Sequence, residues 1–375
     1  MMQNNVFGLI YTGESNMQLR DITVSRSIAA VPFGGRYRCI DFVMSALVNS
    51  GITNVGLIMQ KNYHSLIDHV GSGKEWDLHR KRDGLFILPP FLTKDNIGIF
   101  KGTVDALQSS LGYIRRSSQR YMILTGSHTL YNMQFNDMIA QHMDTGADIT
   151  MMYNIEKRFN SDDQYDDLRL TMDDSGRITD MMIDPFKPVT NCRCCDVYIM
   201  EKTLLEYLIE EATTHALHDF TKDILLKKVN SLKMYGYRYD GYVARLDSLN
   251  LFYKHNMALL DREVREDLFN PDHPIYTKIK DEVPAKYGSN AHVRNSIVAD
   301  GCVIDGIVEN SVLFRGVRIE AGAEVRNCIV MQGSEIQRGA SLDCTILDKS
   351  VTVKRNRRLA GYDGFPVILR KGSIV

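Results

Sequence analysis

The chain of 375 residues is long enough for two domains of ordinary size, and its 44% apolar and 24% charged residues suit a globular protein with a sizeable core. Its 45 Lys and Arg nearly balance 46 Asp and Glu, a formal net charge of -1, which excludes a broadly basic nucleic-acid-binding surface but leaves room for a local basic pocket. No apolar run approaches the roughly 18 to 20 residues of a membrane span, and the start MMQNNVFGLIY lacks the pattern of a secretory signal, so a cytoplasmic chain with no membrane partner is expected.

From residue 6 to about 255, short apolar runs alternate with helical periodicity. VFGLIY at 6–11, VGLIMQ at 55–60, YMILT at 121–125 and ITMMY at 149–153 read as buried strands. Phe135, Met138, Ile139, His142 and Met143 share one helical face, closed by Gly146. Leu204, Leu205, Leu208, Ile209 and Ala212 share another, after a strand at 197–200. Such alternation predicts a Rossmann-like α/β domain with a mainly parallel sheet, over residues 1–255. Ligands of such sheets bind beyond the carboxyl ends of strands, which points to the loops Thr12–Arg20 and Gly126–Tyr131.

The seven cysteines are odd in number, and the NCRCC cluster at 191–195 has no second cluster at zinc-like spacing. Structural thiols in a reduced compartment are expected. Residues 252–269 read as helical. The stretch 270–288 holds three of the nine prolines, so 256–290 is taken as a helix and an extended connector.

From about residue 291 to 375 the period becomes six. Ile307, Leu313, Ile319, Val325 and Met331 recur at that step, as do Gly316 with Gly322 and Gly333 with Gly339. This is the pattern of a hexapeptide-repeat, left-handed parallel β-helix, in which each coil buries its aliphatic side chains against the next.

Four motifs then carry a family resemblance. AAVPFGGRYRCIDFVMSALVNSGI at 29–52 resembles the bacterial glucose-1-phosphate adenylyltransferase segment PAVPFGGKYRIIDF with its following NSGI. KNYHSLIDHVGSG at 61–73, KGTVDAL at 101–107 and HDFTKDIL at 218–225 resemble three further motifs of that family, in the same order. The resemblance implies a nucleotidyltransferase domain followed by the β-helix. It also implies ADP-glucose synthesis from ATP and glucose 1-phosphate, using a glycine-rich loop with an arginine, a lysine, and two aspartates that hold Mg2+.

At those positions the chain departs from the family. The loop GGxGTRL falls on Gly13, Glu14, Ser15, Asn16, Met17, Gln18 and Leu19, which puts a carboxylate where phosphate charge would sit and removes the arginine. The lysine position is Ile28. The two aspartate positions are Ser127 and, by an ungapped alignment, Arg245, with Asp247 two residues on as the other placing of the second; a cation at Arg245 opposes a metal that relies on carboxylate oxygens. The sugar-binding Glu-Lys pair aligns with Ile183 and Asp184. No catalytic residue, metal site or cofactor is therefore expected. The resemblance narrows to the GlgD-type regulatory subunit, expected to assemble with a catalytic subunit as a hetero-oligomer, of which a heterotetramer is one form, with a homodimer open to the isolated chain. An active nucleotidyltransferase with altered machinery is the alternative. A β-helix acyltransferase is disfavoured because His292, at the edge, is the only histidine beyond residue 290.

A regulatory chain needs an effector site. By the resemblance, Arg36 takes the basic position of FGGK, with Arg38 nearby, and Lys354, Arg355, Arg357, Arg358 and Arg370 are basic candidates in the C-terminal domain for a phosphorylated effector. The competing reading of 354–358 is a solvated charged face. His64 and His128 are taken as structural hydrogen-bonding residues. Trp76 is placed at the nucleotide edge or in a subunit contact, and Asp105 and Asp219 in local folding or a residual pocket.

Overall fold

A computed structural model describes residues 5–13, 19–90, 100–156, 167–362 and 364–375. The α/β domain is built on a nine-stranded sheet. Its parallel part runs Tyr121–Thr125, Val6–Tyr11, Asn54–Ile58 and Gly84–Leu88. Beyond Tyr121–Thr125 lies the antiparallel strand Cys192–Glu201, which also pairs with Ile149–Ile155 and, through one residue, with Leu168–Met172.

Strand Val6–Tyr11 is buried along its whole length because both faces are covered. Alternate residues Phe7, Leu9 and Tyr11 enter one apolar cluster, with helices Thr103–Ser109 and Lys202–Thr214. Val6 and Ile10 enter the other, with helices Cys39–Asn49 and Asn136–Thr145. The helix expected from Phe135 to Met143 is Asn136–Thr145, and Gly146 closes it at φ 58°. The single helix expected over 252–269 is two, Leu249–Ala258 and Arg262–Leu268. Asp261 breaks the run, because its carboxylate accepts the Glu263 N–H and caps the second helix.

The β-helix stacks coils with three parallel sheets of five short strands each, starting at Lys286–Tyr287. Its interior is lined by Val308, Leu313, Ile319, Val325, Val330, Ile336 and Leu342. The strict six-residue step therefore slips at both ends: Ile307 and Met331 do not point inward, and Val308 and Val330 do. Val308 pairs with Val325, Val325 with Leu342 and Leu342 with Leu359. Each of these middle coils is thus one residue short of three full hexapeptides. Met331 is buried all the same, on the outer face. There Val312, Phe314, Ile329 and Ile346 join it against Phe33, Phe42, Phe252 and Tyr253 of the α/β domain. This shared apolar cluster fixes the β-helix against the loops that carry the candidate site.

Trp76 is buried, edge-on to His69, and packs in the core beneath helix Cys39–Asn49. It is neither at the nucleotide edge nor available for a subunit contact. None of the seven cysteines is in a disulfide, and burial pushes the Cys194 thiol up to about 12. Among the described residues, no helix is long and apolar enough to cross a membrane, and no group of three or more His, Cys, Asp or Glu is set to hold a metal ion.

Candidate functional site

A cleft of about 870 Å3 opens at the carboxyl ends of the parallel strands. Tyr11, Thr12 and Gly13 follow the first strand into it; Gln60, Lys61 and Asn62 follow Asn54–Ile58; Leu124, Thr125 and Gly126 end Tyr121–Thr125. The retained motifs line the same space. Phe100–Thr103 and Asp219–Lys222 meet there, because Asp105 accepts from Lys101 N–H and contacts His218 Nδ1 at 3.0 Å, while Asp219 caps Lys222 N–H at 2.7 Å. Gly102 sits so close to the His218 carbonyl that an added Cβ would lie 2.2 Å from its oxygen, so only glycine lets the two motifs pack.

Of the positions at which the family's machinery is expected, Gly13 lies at the edge of the cleft, while Glu14, Ser15, Asn16 and Gln18 fall outside the described residues. Ile28 is fully buried in the apolar cluster between the domains. No charged group can reach phosphate from there. Ser127 is buried beside His128. Strand Thr129–Leu130 pairs antiparallel with Ala244–Arg245, and Leu246 N–H donates to the His128 carbonyl at 3.0 Å. The two aspartate positions inferred from the sequence are thereby brought together. Ile183 lines the cleft, whereas Asp184 turns away to accept from Asp167 N–H.

The donor set at this end does not suit Mg2+. Where carboxylates would stand there is a serine and a buried, hydrogen-bonded arginine. Asp196, on the cleft wall, has its carboxyl held well below the usual range: burial raises it, and His128 together with Arg245 outweighs that. His128 also lines the cleft, with Nε2 3.0 Å from Asp196. Farther in, Arg193 and Arg169 face each other across neighbouring strands and share Glu156 and Asp167. No sequence pattern announced this network, since Glu156, the Asp167–Arg169 pair and Arg193 come from three separate stretches of chain.

A second, cationic hollow lies where the β-helix meets the α/β domain. The turn Gly34–Gly35, both at positive φ, folds Pro32–Phe33 back on Tyr37–Arg38. It presents Arg36 and Arg38 alongside Lys278 and Lys280 of the connector and Arg315 and Lys349 of the β-helix. Among the described residues, no carboxylate lines this hollow. Arg38 N–H is held by Asp41, which also meets His69 Nε2 at 2.5 Å. Burial lowers the Arg38 guanidinium and, reinforced by Arg38 and Arg26, brings the Lys349 ammonium down to about 7. Lys280 and Arg315 are lowered too, by burial first and neighbouring cations second. A cationic cluster strained in this way is relieved by an anion.

The other basic candidates are elsewhere. Lys354, Arg355, Arg357 and Arg358 are exposed and line neither hollow nor cleft, as a solvated charged face would be. Arg370 lines the large cleft and pairs with Asp21 at 2.7 Å. Lys278, Lys280, Arg315 and Lys349 were not legible as site residues, because they come from three separate stretches, 278–280, 315 and 349, none of which carries a recognisable motif.

The nucleotidyl transferase family profile matches residues 7–243, and a GlmU-like C-terminal hexapeptide profile matches 281–364. The glycogen biosynthesis protein GlgD of Bacillus subtilis (strain 168) is 37% identical over 100% of this chain and 98% of its own length. GlgD of Geobacillus stearothermophilus is 40% identical over 86% of this chain and 84% of its own. The glucose-1-phosphate adenylyltransferase of Halalkalibacterium halodurans is 32% identical over 93% and 97% respectively.

Proposed function

The chain belongs to the nucleotidyl transferase family, among its GlgD-type and glucose-1-phosphate adenylyltransferase chains, and from that premise we propose that it is a glycogen biosynthesis protein that regulates rather than catalyses. It assembles in the cytoplasm with a catalytic glucose-1-phosphate adenylyltransferase subunit and tunes that subunit's ADP-glucose synthesis. The observation that carries this reading is the kept cleft with its reaction positions replaced: Ile28 buried in apolar packing, Ser127 and Arg245 at the metal end. Phosphoryl chemistry needs charge neutralised at the transferring group and the reactants held in line. This cleft offers surface and shape and carries Lys61, Lys101 and Lys222, but Ile28 stands at the lysine position and Ser127 and Arg245 stand where the metal-holding carboxylates would be.

The effector enters at the cationic hollow. Six basic side chains without a lining carboxylate suit a phosphate ester, with the guanidinium groups of Arg36 and Arg38 able to make paired hydrogen bonds. In an assembly with the catalytic subunit, the activation curve is expected to differ from that of the catalytic subunit alone, with inorganic phosphate and a sugar bisphosphate as probes. Arg36→Ala in this chain should move the curve back toward that of the catalytic subunit. An unchanged curve on adding the chain defeats the regulatory reading, and an unchanged curve in the variant removes Arg36 from the site.

The isolated chain gives a further check through pH. With its folded pKa depressed to about 7, Lys349 is charged below that pH and neutral above it, while the unfolded side chain stays charged to about 10.5. A charged Lys349 favours a bound anion, so binding strengthens as pH falls through 7. Sulfate, which keeps its charge over this range, should bind about three- to tenfold more weakly at pH 8 than at pH 6. Lys349→Gln should flatten that profile; calorimetric titration reads both. The linked stability runs oppositely: the burial penalty on the charged lysine is full below pH 7 and is relieved between about 7 and 10.5.

A further inference from the structure

Several cations that line the hollow are engaged by neighbours, and Lys349 is not. Arg38 Nη1 donates to the Ser65 carbonyl at 2.5 Å and to Ser65 Oγ at 2.9 Å. Lys278 Nζ donates to the Asp68 carbonyl, and Arg315 faces Asp300 at 3.9 Å. Among the described residues, Lys349 Nζ makes no hydrogen bond and no ion pair. Asp348, its neighbour in sequence, turns both carboxylate oxygens to Arg26. The cations that act most on the amine are Arg38, Arg26 and Lys280, and Arg36, Lys278, Arg315 and the imidazole of His69 complete the wall.

A half-buried lysine crowded by cations gives up its proton easily, and a neutral amine is a nucleophile. With its pKa at about 7, most of Lys349 is neutral at pH 7.5, where an ordinary lysine is neutral in roughly one part in a thousand. Around it stand guanidinium groups suited to a phosphoryl group. The hollow is small, about 40 Å3, so a group joined to a phosphate held there lies close to the lining amine.

We propose that Lys349 is a modification site for acyl phosphates, acylated without a second enzyme because the hollow holds the reagent's phosphate beside the amine. Lys349 Nζ attacks the acyl carbon, a C–N bond forms, and the C–O bond to phosphate breaks. The electron pair of that bond leaves on the phosphate oxygen, and the amine gives up one proton to solvent. The products are an amide on Lys349 and inorganic phosphate, with no change of oxidation state. The surrounding cations favour the step, since the developing charge lies on the phosphate they already hold. The acylated side chain is neutral at every pH, so the hollow stays in the weaker of its two binding states. This inference rests on the hollow being a phosphate site and adds covalent control of it.

The test treats the full chain with acetyl phosphate at pH 7.5 and follows each lysine by peptide mass spectrometry. A less basic amine is also a weaker nucleophile, so the gain in rate is smaller than the gain in neutral fraction. Lys349 should still be acetylated at least about tenfold faster than the exposed Lys354 and Lys371, with a rate that levels off above about pH 8. Saturating sulfate should slow Lys349 severalfold and leave the other two alone. Arg36→Ala, at an exposed position, should slow it with acetyl phosphate but not with N-hydroxysuccinimidyl acetate, which carries no phosphate. The acetylated chain should bind sulfate at pH 6 about three- to tenfold more weakly than the unmodified chain, by calorimetric titration. The inference is overturned if Lys349 reacts no faster than Lys354, or if neither sulfate nor Arg36→Ala slows it. Sulfate bound while Lys349 stays unreactive sinks the inference and leaves the effector hollow standing. Sulfate that does not bind at all removes the effector hollow, and this inference with it.

Discussion

Given ATP, glucose 1-phosphate and Mg2+, the purified chain alone should release pyrophosphate at less than about 0.1 per second, against ordinary enzyme turnover of about 1 to 1000 per second. Removing one electrostatic stabiliser of a transition state typically lowers the rate about 100- to 1000-fold. Three described positions have lost theirs together. Ile28 is sealed in the apolar contact between the domains, Ser127 is buried, and Arg245 brings a positive charge to the metal end. Such losses do not add fully, so a combined reduction of about 10,000-fold is the smaller expectation. The lysines that line the cleft, Lys61, Lys101 and Lys222, can attract phosphate, but none stands at the lysine position, which Ile28 occupies. Turnover near 1 per second would mean that altered machinery works here, and the regulatory reading would fall.

The largest single effect on stability is expected at Arg26. Its guanidinium donates to both carboxylate oxygens of Asp348, at 2.8 and 3.0 Å, with both side chains 2% exposed. The pair joins the two domains across 322 residues of sequence, and Asp348 also accepts Lys349 N–H at 2.7 Å. Arg26→Ala leaves that carboxylate buried without its counter-charge and should lower stability by about 3–5 kcal/mol, measured by urea unfolding. Replacing both partners, as Arg26→Met with Asp348→Leu, removes the uncompensated charge and should lie within about 1–2 kcal/mol of wild type. An equal loss in single and double variants would show that the pair matters for shape and not for charge. The pair also has a functional position. Arg26 lines the large cleft, and Lys349, next to Asp348, lines the cationic hollow, so the two sites share this ion pair as a common wall.

What the sequence announced and what it withheld follow from physical range. Strand Val6–Tyr11 and helix Asn136–Thr145 declared themselves because their signal is local: a run buried on both faces, and a face repeating at helical spacing with glycine to close it. The β-helix declared itself by its period, yet the inward set was misread by one residue at Ile307 and Met331, because the coil drops a residue at one corner and a strict step of six drifts past it. Within the site, Ile28, Ser127 and Arg245 were legible as departures because they sit in or beside recognisable motifs. Their outcome was not legible: nothing local says that the Arg245 guanidinium would be gripped by Cys194 and Asp247. Lys280, Arg315 and Lys349 gather only once the connector and the β-helix fold against the turn at Gly34–Gly35. Conversely, the dense run at 354–358 drew attention by composition alone and stays in solvent.

Inactivity of the isolated chain would also follow if assembly were needed to complete its site, so the decisive measurement is made on the assembly. This chain is joined to a catalytic subunit whose own magnesium-holding aspartates have been replaced by asparagine, and ADP-glucose synthesis is followed with saturating ATP, glucose 1-phosphate and Mg2+. A chain that acts only through its partner yields no synthesis above the level of the disabled subunit alone, although the same assembly with an intact catalytic subunit turns over at enzyme rates. ADP-glucose formed by the disabled-partner assembly at about 1 per second or more would place a working site in this chain and contradict the account.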